Sequence, residues 1–267
     1  MPNKELENST MSYAFLKINS EMDRLGQQAQ AAREREFQLF SALQLSPKAR
    51  VLEAGCGPGF ITGLLAAFFA QGNVTSIDLR EDLLQLAKKR NADLKNVEFK
   101  KGDFCQLNEA DESFDFIYCR LALSHVPDPV AALKEFRRVL KKGGTLCVTD
   151  VDDHSVIAQP EGETAHQLLA HAAQRQAEMG GDRYIGRKLL GLCNQAGFGD
   201  TKVQLHPFTV QGEDTMGLLP VYFEGRLAYL NPVEQKALER WTKNLNTALS
   251  QGTGFLSFLM FAAIARK

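Results

Sequence analysis

Three stretches in the first half of the chain carry residue types and spacings suited to gripping a nucleotide-like ligand. The first is Val51-Leu52-Glu53-Ala54-Gly55-Cys56-Gly57-Pro58-Gly59-Phe60, an apolar run that ends in alternating glycines. Backbone without Cβ atoms can approach a ligand that side chains would exclude, and a helix starting there presents its N-terminus. Dinucleotide binders use G-x-G-x-x-G at this point, but here Phe60 occupies the place of the last glycine, which argues against a nicotinamide or flavin ligand. The second stretch is Thr75-Ser76-Ile77-Asp78-Leu79. An acid roughly twenty residues past the glycine loop can accept hydrogen bonds from both ribose hydroxyls; the competing reading of Asp78 is a cap for the next helix. The third is Lys101-Gly102-Asp103-Phe104, where Asp103 either accepts from an exocyclic amine or closes a plain turn.

Proton-transfer candidates lie further along. His125 and His154 each follow an apolar strand-like run, so either could serve as a general base. His125 stands in a His-x-x-Asp-Pro turn that would equally fix a loop and cap a helix. His166, His171 and His206 read as ordinary helix or surface histidines. Asp152 and Asp153 lack the remaining members of a metal-ligand pattern, so no metal site is expected.

These residues need a scaffold, and the hydrophobic pattern supplies one. Apolar runs at Val51 to Ala54, Asn73 to Leu79, Val97 to Lys100, Phe114 to Cys119 and Thr145 to Asp150 read as strands. Amphipathic stretches at Phe60 to Ala70, Asp82 to Ala92 and Pro129 to Leu140 read as helices, the last ending in Lys141-Lys142-Gly143-Gly144, a cationic turn with a glycine stop. Regular β-α-β alternation implies a parallel sheet covered on both faces. Helices are expected over Glu163 to Met179 and Arg187 to Ala196, with a sixth strand beginning at Val203 to Leu205 and a seventh over Phe258 to Ala265. Between those two strands lie some fifty residues where a hairpin loop would ordinarily need two to five. That insertion, helical over Pro232 to Ser250, reads as a substrate cap or an oligomer contact.

Composition removes several classes. Of 267 residues, 31 are Lys or Arg and 32 Asp or Glu, so the basic excess that phosphate binding requires is missing and no nucleic-acid partner is expected. The 5 cysteines (Cys56, Cys105, Cys119, Cys147, Cys193) are scattered, as free thiols in a reducing compartment would be. The N-terminal residues lack a secretory apolar core, and Phe255 to Ala265 is shorter than the ~20 residues a membrane helix needs. A cytoplasmic protein without a membrane span, monomer or homodimer, is the expectation.

Taken in order, Glu53-Ala54-Gly55-Cys56-Gly57-Pro58-Gly59, Asp78, Gly102-Asp103-Phe104, Phe114 to Arg120, His125-Val126-Pro127-Asp128-Pro129 and Gly143-Gly144-Thr145 resemble the class I S-adenosylmethionine (SAM) dependent methyltransferases. Residues 45 to 150 are similar most closely to the UbiE/type 11 group, which acts on small molecules. The resemblance implies an α/β, Rossmann-like seven-stranded, mostly parallel sheet with an antiparallel last strand, helices on both faces and helical cap insertions. It places the backbone of Ala54, Gly55, Gly57 and Gly59 beside the methionine part of SAM. It further assigns Asp78 to the ribose, Leu79 to the adenine face, and Asp103 with Phe104 to the adenine amine and ring. Glu53 would orient the loop or reach the amino group through water, and Arg120 and Leu121 would lie along the methionine moiety toward the acceptor. Tyr13, Glu21, Arg24, Leu25 and Gln28 resemble a lead-in found in some members; Tyr13 would close over SAM and Arg24 reach its carboxylate, unless this is simply a solvated helix. The implied organisation is a helical lid over 1–44, a SAM-binding core over 45–208 and 255–267, and a helical cap over 209–254 to which 155–182 contribute.

Methyl transfer from a sulfonium needs mainly alignment of nucleophile, methyl and sulfur, so a catalytic base is optional. Cys119-Arg120-Leu121-Ala122-Leu123-Ser124 stands where amine methylators of bases and of glutamine carry an Asn/Asp-Pro-Pro-Tyr segment, and it lacks the Pro-Cys nucleophile of cytosine C5 enzymes. The expected function is therefore SAM-dependent methyl transfer to an O, N or C atom of a small, fairly apolar organic acceptor. A SAM-binding sensor or assembly protein without turnover, or a methyltransferase acting on a protein or tRNA, is the alternative.

Overall fold

The computed structural model describes residues 33–211, 223 and 225–267. Five strands, β1 (Arg50–Ala54), β2 (Asn73–Asp78), β3 (Val97–Lys101), β4 (Phe114–Arg120) and β5 (Leu140–Val151), run parallel in the order β3-β2-β1-β4-β5. A short β6 (Ile157–Gln159), an edge strand β7 (Asp200–Val210) and β8 (Phe255–Arg266) complete the sheet. β8 pairs antiparallel with β5 from Arg266 to Met260 and then with β6 from Ser257 to Phe255, while β7 runs along its other side. Among the described residues the sheet thus has eight strands, one more than expected. The extra one is three residues long, below the length at which an alternating pattern is readable.

Helix α1 (residues 33–42), α2 (Thr62–Phe68), α3 (Glu81–Arg90), α4 (Pro129–Val139), α5 (Glu163–Glu178), α6 (Leu189–Gln195) and α7 (Pro232–Ser250) cover the sheet. Alternation along the strands divides the core. Leu52, Ile117, Leu146 and Ala263 face α4 and α6, whereas Val51, Phe116, Cys147 and Ala262 face α1 and α2. Phe40 of α1 is fully buried, edge-on to Tyr118 at 5.1 Å and to Phe116 at 5.9 Å. A third cluster unites Leu168, Leu169 and Ala172 of α5 with Leu238, Trp241 and Leu245 of α7 and with Phe258 and Met260 of β8.

Local chemistry explains the helix ends. Asp128 accepts from the Ala131 amide at 2.9 Å with Pro129 in the first turn of α4, and Asn231 forms a capping box with Glu234 ahead of α7. The expected end of α4 is corrected: the helix stops at Val139, and Lys141 to Gly144 belong to β5. The reason is tertiary, because the Val139 carbonyl accepts from Ser113 and the Gly143 amide donates to Lys267 at 2.9 Å. The cations of the last turn are Arg137 and Arg138 instead.

Candidate functional site

The carboxyl ends of β1, β2, β4 and β5 form one rim. At the exit of β1 the chain turns through Gly55, Gly57 and Gly59, all with positive φ. Two of these have distinct reasons. A Cβ on Gly59 would sit 2.7 Å from Asn91 Nδ2 and 2.8 Å from Ala87 Cβ, so the position is glycine because α3 packs against it. A Cβ on Gly57 would meet nothing within 4 Å, so its bare backbone faces open space.

The loop is held from below. The Gly55 and Cys56 amides donate to the Ile77 carbonyl at 2.9 Å each, and the Gly57 amide donates to Asp78 Oδ2 at 2.8 Å. Asp78 Oδ1 accepts from the Arg80 amide at 2.9 Å. Burial raises the Asp78 carboxyl above its ordinary value, and these two amides oppose that shift. A carboxylate has about four lone-pair sites, so two remain for further donors. From the side, the Asn91 amide donates to the Gly59 carbonyl at 2.9 Å, and the Arg90 guanidinium, stacked on Phe60 at 3.6 Å, donates to the Pro58 carbonyl.

Glu53 lies beneath, buried, with Oε2 accepting from Thr62 and Ser76 hydroxyls at 2.6 Å each. Burial outweighs those two hydrogen bonds and pushes its carboxyl up to about 7. Asp150, wholly buried at the end of β5 and accepting from the Ser124 and Val151 amides, is pushed up by burial to about 6. Both groups hold their protons more tightly in the fold than in the unfolded chain. Their favourable share of stability is complete at low pH and is lost as pH rises through these values. For Glu53 the loss between pH 5 and 8 is on the order of 2–3 kcal/mol. Urea unfolding at those two pH values should show Glu53→Gln less pH-sensitive than the native protein; an identical slope would refute the assignment.

The other positions marked in the sequence spread around this centre. Ala54 is buried, and Leu79 is 39% exposed beside Asp78. Asp103 accepts from the Cys105 amide at 2.8 Å, and Phe104 is buried against Phe136 with its ring edge under Gly55. Leu121 takes φ +52 and donates to the Thr149 carbonyl at 2.8 Å. Tyr13 and Arg24 lie outside the described residues. Arg120 does not project openly from β4: its Nε donates to Glu36 Oε1 at 2.9 Å, and Tyr118 donates to the other oxygen. This buried knot fastens α1 to the end of β4.

At the end of β5 the arrangement is denser. Asp153 is 2% exposed, between Arg183 (Nε at 3.1 Å) and Arg226 (Nη2 at 2.5 Å). Burial alone would raise its carboxyl, but the two guanidinium groups hold it well below the usual range. Asp152 is paired in a two-pronged contact with Arg187. His154 is exposed and packs its ring on Tyr184 with centroids 4.1 Å apart. His125 is half-buried, its Nδ1 3.3 Å from the Gln176 amide. Among the described residues no group of His, Cys, Asp and Glu is arranged to hold a metal ion, and no helix is long and apolar enough to cross a membrane.

Sequence reasoning missed Glu36, Asn91, Arg183 and Arg226. Glu36 sits in Arg33-Glu34-Arg35-Glu36, where alternating charges look like a solvated face. The arginine pair is brought together from segments 43 residues apart, with no local signal.

An open, mostly parallel sheet with a glycine loop at β1 and a carboxylate ending β2 defines the Rossmann-like class of nucleotide-binding folds. Residues 45–208 match the family described as a methyltransferase domain, and the chain belongs to that family, the class I SAM-dependent methyltransferases. It is 30% identical over 147 residues to a demethylmenaquinone methyltransferase of Staphylococcus epidermidis, covering 54% of this chain and 61% of that protein. The chain spans about half the length of the first curated relatives it matches. YcgJ of Bacillus subtilis shares the fold, with TM-score 0.60 at 17% identity over 86% of this chain and 96% of that one. So does phosphoethanolamine N-methyltransferase 2 of Haemonchus contortus, solved with phosphomonomethylethanolamine and S-adenosylhomocysteine, with TM-score 0.58 at 18% identity over 88% of this chain and 53% of that one.

Proposed function

We propose that this chain transfers the methyl group of SAM to a small, fairly apolar organic acceptor by in-line displacement. The observation that carries the reading is the Gly57–Asp78 contact: open backbone beside a carboxylate with acceptor capacity to spare, at the shared rim of β1 and β2. Such a pairing fits an adenosyl ligand, with the ribose diol on Asp78, adenine against exposed Leu79 and near Asp103 and Phe104, and the methionine part along Ala54, Gly55, Gly57 and Gly59. When bound, SAM supplies an electrophilic methyl on a sulfonium whose leaving group is already good.

The chain's own task is then to bind, orient and exclude water. Glu53 supports the loop from beneath through Thr62 and Ser76. Arg120, engaged by Glu36, couples α1 to the rim and flanks the methionine end with Leu121. We assign residues 1–44 to a lid, with Tyr13 and Arg24 contributing to the cofactor side. Residues 209–254, with 155–182, form a cap, whose Phe223 and Trp241, packed edge-on and in one apolar cluster with Phe208 of β7, support rather than line an acceptor pocket, since all three are buried. His125 and His154 are the groups on the rim able to take an acceptor proton; such assistance is worth about 10²–10⁴-fold where the acceptor needs it. The quinone named in the staphylococcal relative supports an aromatic, weakly polar acceptor.

The test is a coupled assay for S-adenosylhomocysteine release with a panel of phenols, quinols and small amines. Release with at least one acceptor is expected. Tight binding of S-adenosylhomocysteine without turnover on any compound, protein extract or tRNA would favour a sensor.

A further inference from the structure

The short helical turn Leu123–His125, between β4 and α4, is held from several sides. The Ser124 amide donates to Asp150 Oδ2 at 3.0 Å, and the Ser124 carbonyl accepts from the Asp182 amide at 2.8 Å. The same carbonyl accepts at 3.0 Å from Nε2 of Gln176, a buried residue in the last turn of α5. That amide nitrogen also stands 3.3 Å from Nδ1 of His125.

The two ends of a side-chain amide have nearly the same shape, so chemistry must decide which end faces the imidazole. Ser124 offers a carbonyl oxygen, and reversing the Gln176 amide would press two acceptor oxygens together. The NH2 end therefore faces Ser124 and His125. An amide nitrogen has two hydrogens and accepts none, so one hydrogen serves Ser124 and the other is available to Nδ1, which must accept it. A ring protonated on Nδ1 would instead set an N–H against the NH2 group. With Nδ1 accepting, the imidazole hydrogen resides on Nε2.

The surroundings keep room for this contact. A Cβ on Gly181 would sit 2.7 Å from both Cγ and Nε2 of Gln176. Gln176 Oε1 is buried with no hydrogen-bond partner among the described residues, an arrangement that stability alone does not favour. Nor does Ser124 need the amide, because Asp182 already satisfies its carbonyl. The contact left to account for Gln176 is the one with His125.

We propose that Gln176 is a positioning residue that fixes His125 as the Nε2–H tautomer, making this imidazole a hydrogen-bond donor rather than a general base. The consequence rests on the methyl-transfer reading and narrows it. Proton uptake at the rim falls to His154. An acceptor molecule that meets His125 does so through an oxygen lone pair, such as a carbonyl, phenolic or ether oxygen offers.

Long-range proton–nitrogen NMR spectra of the isotope-labelled full chain test the tautomer, with pH raised until the His125 signals stop moving. The hydrogen is expected on Nε2 in the native protein. It is expected to shift to Nδ1 in Gln176→Glu, where an acceptor oxygen replaces the amide nitrogen. Hydrogen on Nδ1 in the native protein overturns the proposal, and so does a tautomer that Gln176→Glu leaves unchanged. Turnover of the fastest acceptor in the panel above separates donor from base. His125→Gln keeps an N–H but no basic nitrogen and should stay within about threefold of the native kcat/KM, whereas His125→Leu should fall about tenfold or more. Equal losses in the two overturn the donor role. Unchanged S-adenosylhomocysteine binding shows that the variants fold; should Gln176→Glu not fold, the native spectrum and the His125 pair decide. If no acceptor turns over, the methyl-transfer reading fails while the spectra still decide the tautomer.

Discussion

Asp78→Ala is expected to abolish measurable S-adenosylhomocysteine binding while the protein stays folded. Asp78 does two things at once: one oxygen ties down the Gly57 amide and the other the Arg80 amide. Its removal frees the tip of the glycine loop and, in the site proposed above, leaves the ribose hydroxyls without a charged acceptor. Hydrogen bonds to charged groups contribute about 1.5–3 kcal/mol each. Two of them correspond to a loss on the order of 100-fold to 10,000-fold in affinity. Asp78→Asn should fall between, because the amide keeps one acceptor oxygen but loses the charge. Calorimetry on the three proteins checks the order, and an Asp78→Ala variant that binds within about threefold of the native protein would contradict the site.

The second large effect concerns stability. Asp153→Asn should destabilise the fold by about 3–5 kcal/mol, because it removes the charge that faces two buried guanidinium groups. Truncating Arg226 instead leaves Asp153 with Arg183, so the cost should be smaller. Since the Asp153 carboxyl lies below its ordinary value, its contribution is present above the unfolded carboxylate range and is lost as pH falls through that range toward the folded value. Arg226 lies shortly before α7 and Arg183 between α5 and α6, so the triad joins those segments to the end of β5. Hydrogen exchange in Asp153→Asn should therefore rise first around α5 and α7. A variant within about 1 kcal/mol of the native protein in urea unfolding would show that other contacts carry the junction.

The parallel half of the sheet was legible because each strand is a short run bounded by turn residues and followed by an amphipathic helix; burial on both faces erases alternation, so run length and flanking turns carried the signal. The positions of the glycine loop and of Asp78, side by side at the ends of β1 and β2, were legible for a related reason: they depend on backbone geometry and on spacing along the chain. The sequence places the start of β7 at Val203 to Leu205, whereas the strand begins three residues earlier and spans Asp200–Val210. On an edge strand most side chains meet solvent, so Lys202, Gln204 and His206 obscure the pattern, and backbone pairing with β8 makes the strand. His206 read as a surface residue, yet its Nε2 is buried beneath α1. Arg120 read as reaching toward a ligand, yet it is held by Glu36, whose partner could not be inferred from a run of alternating charges. Polar contacts between distant segments leave no periodic trace, and these were the residues that sequence reasoning missed.

The pairing of β8 bears on how the protein is made. Residues 255–266 zip against three neighbours, closing the open flanks of β5 and β6 on one side and the whole of β7 on the other. During synthesis those flanks wait, bare and sticky, until this stretch clears the ribosome, because non-local antiparallel pairing cannot begin earlier. A nascent chain stalled before residue 255 would expose hydrophobic strand edges with nothing to match them, making that interval the natural moment for chaperone capture or for misassembly.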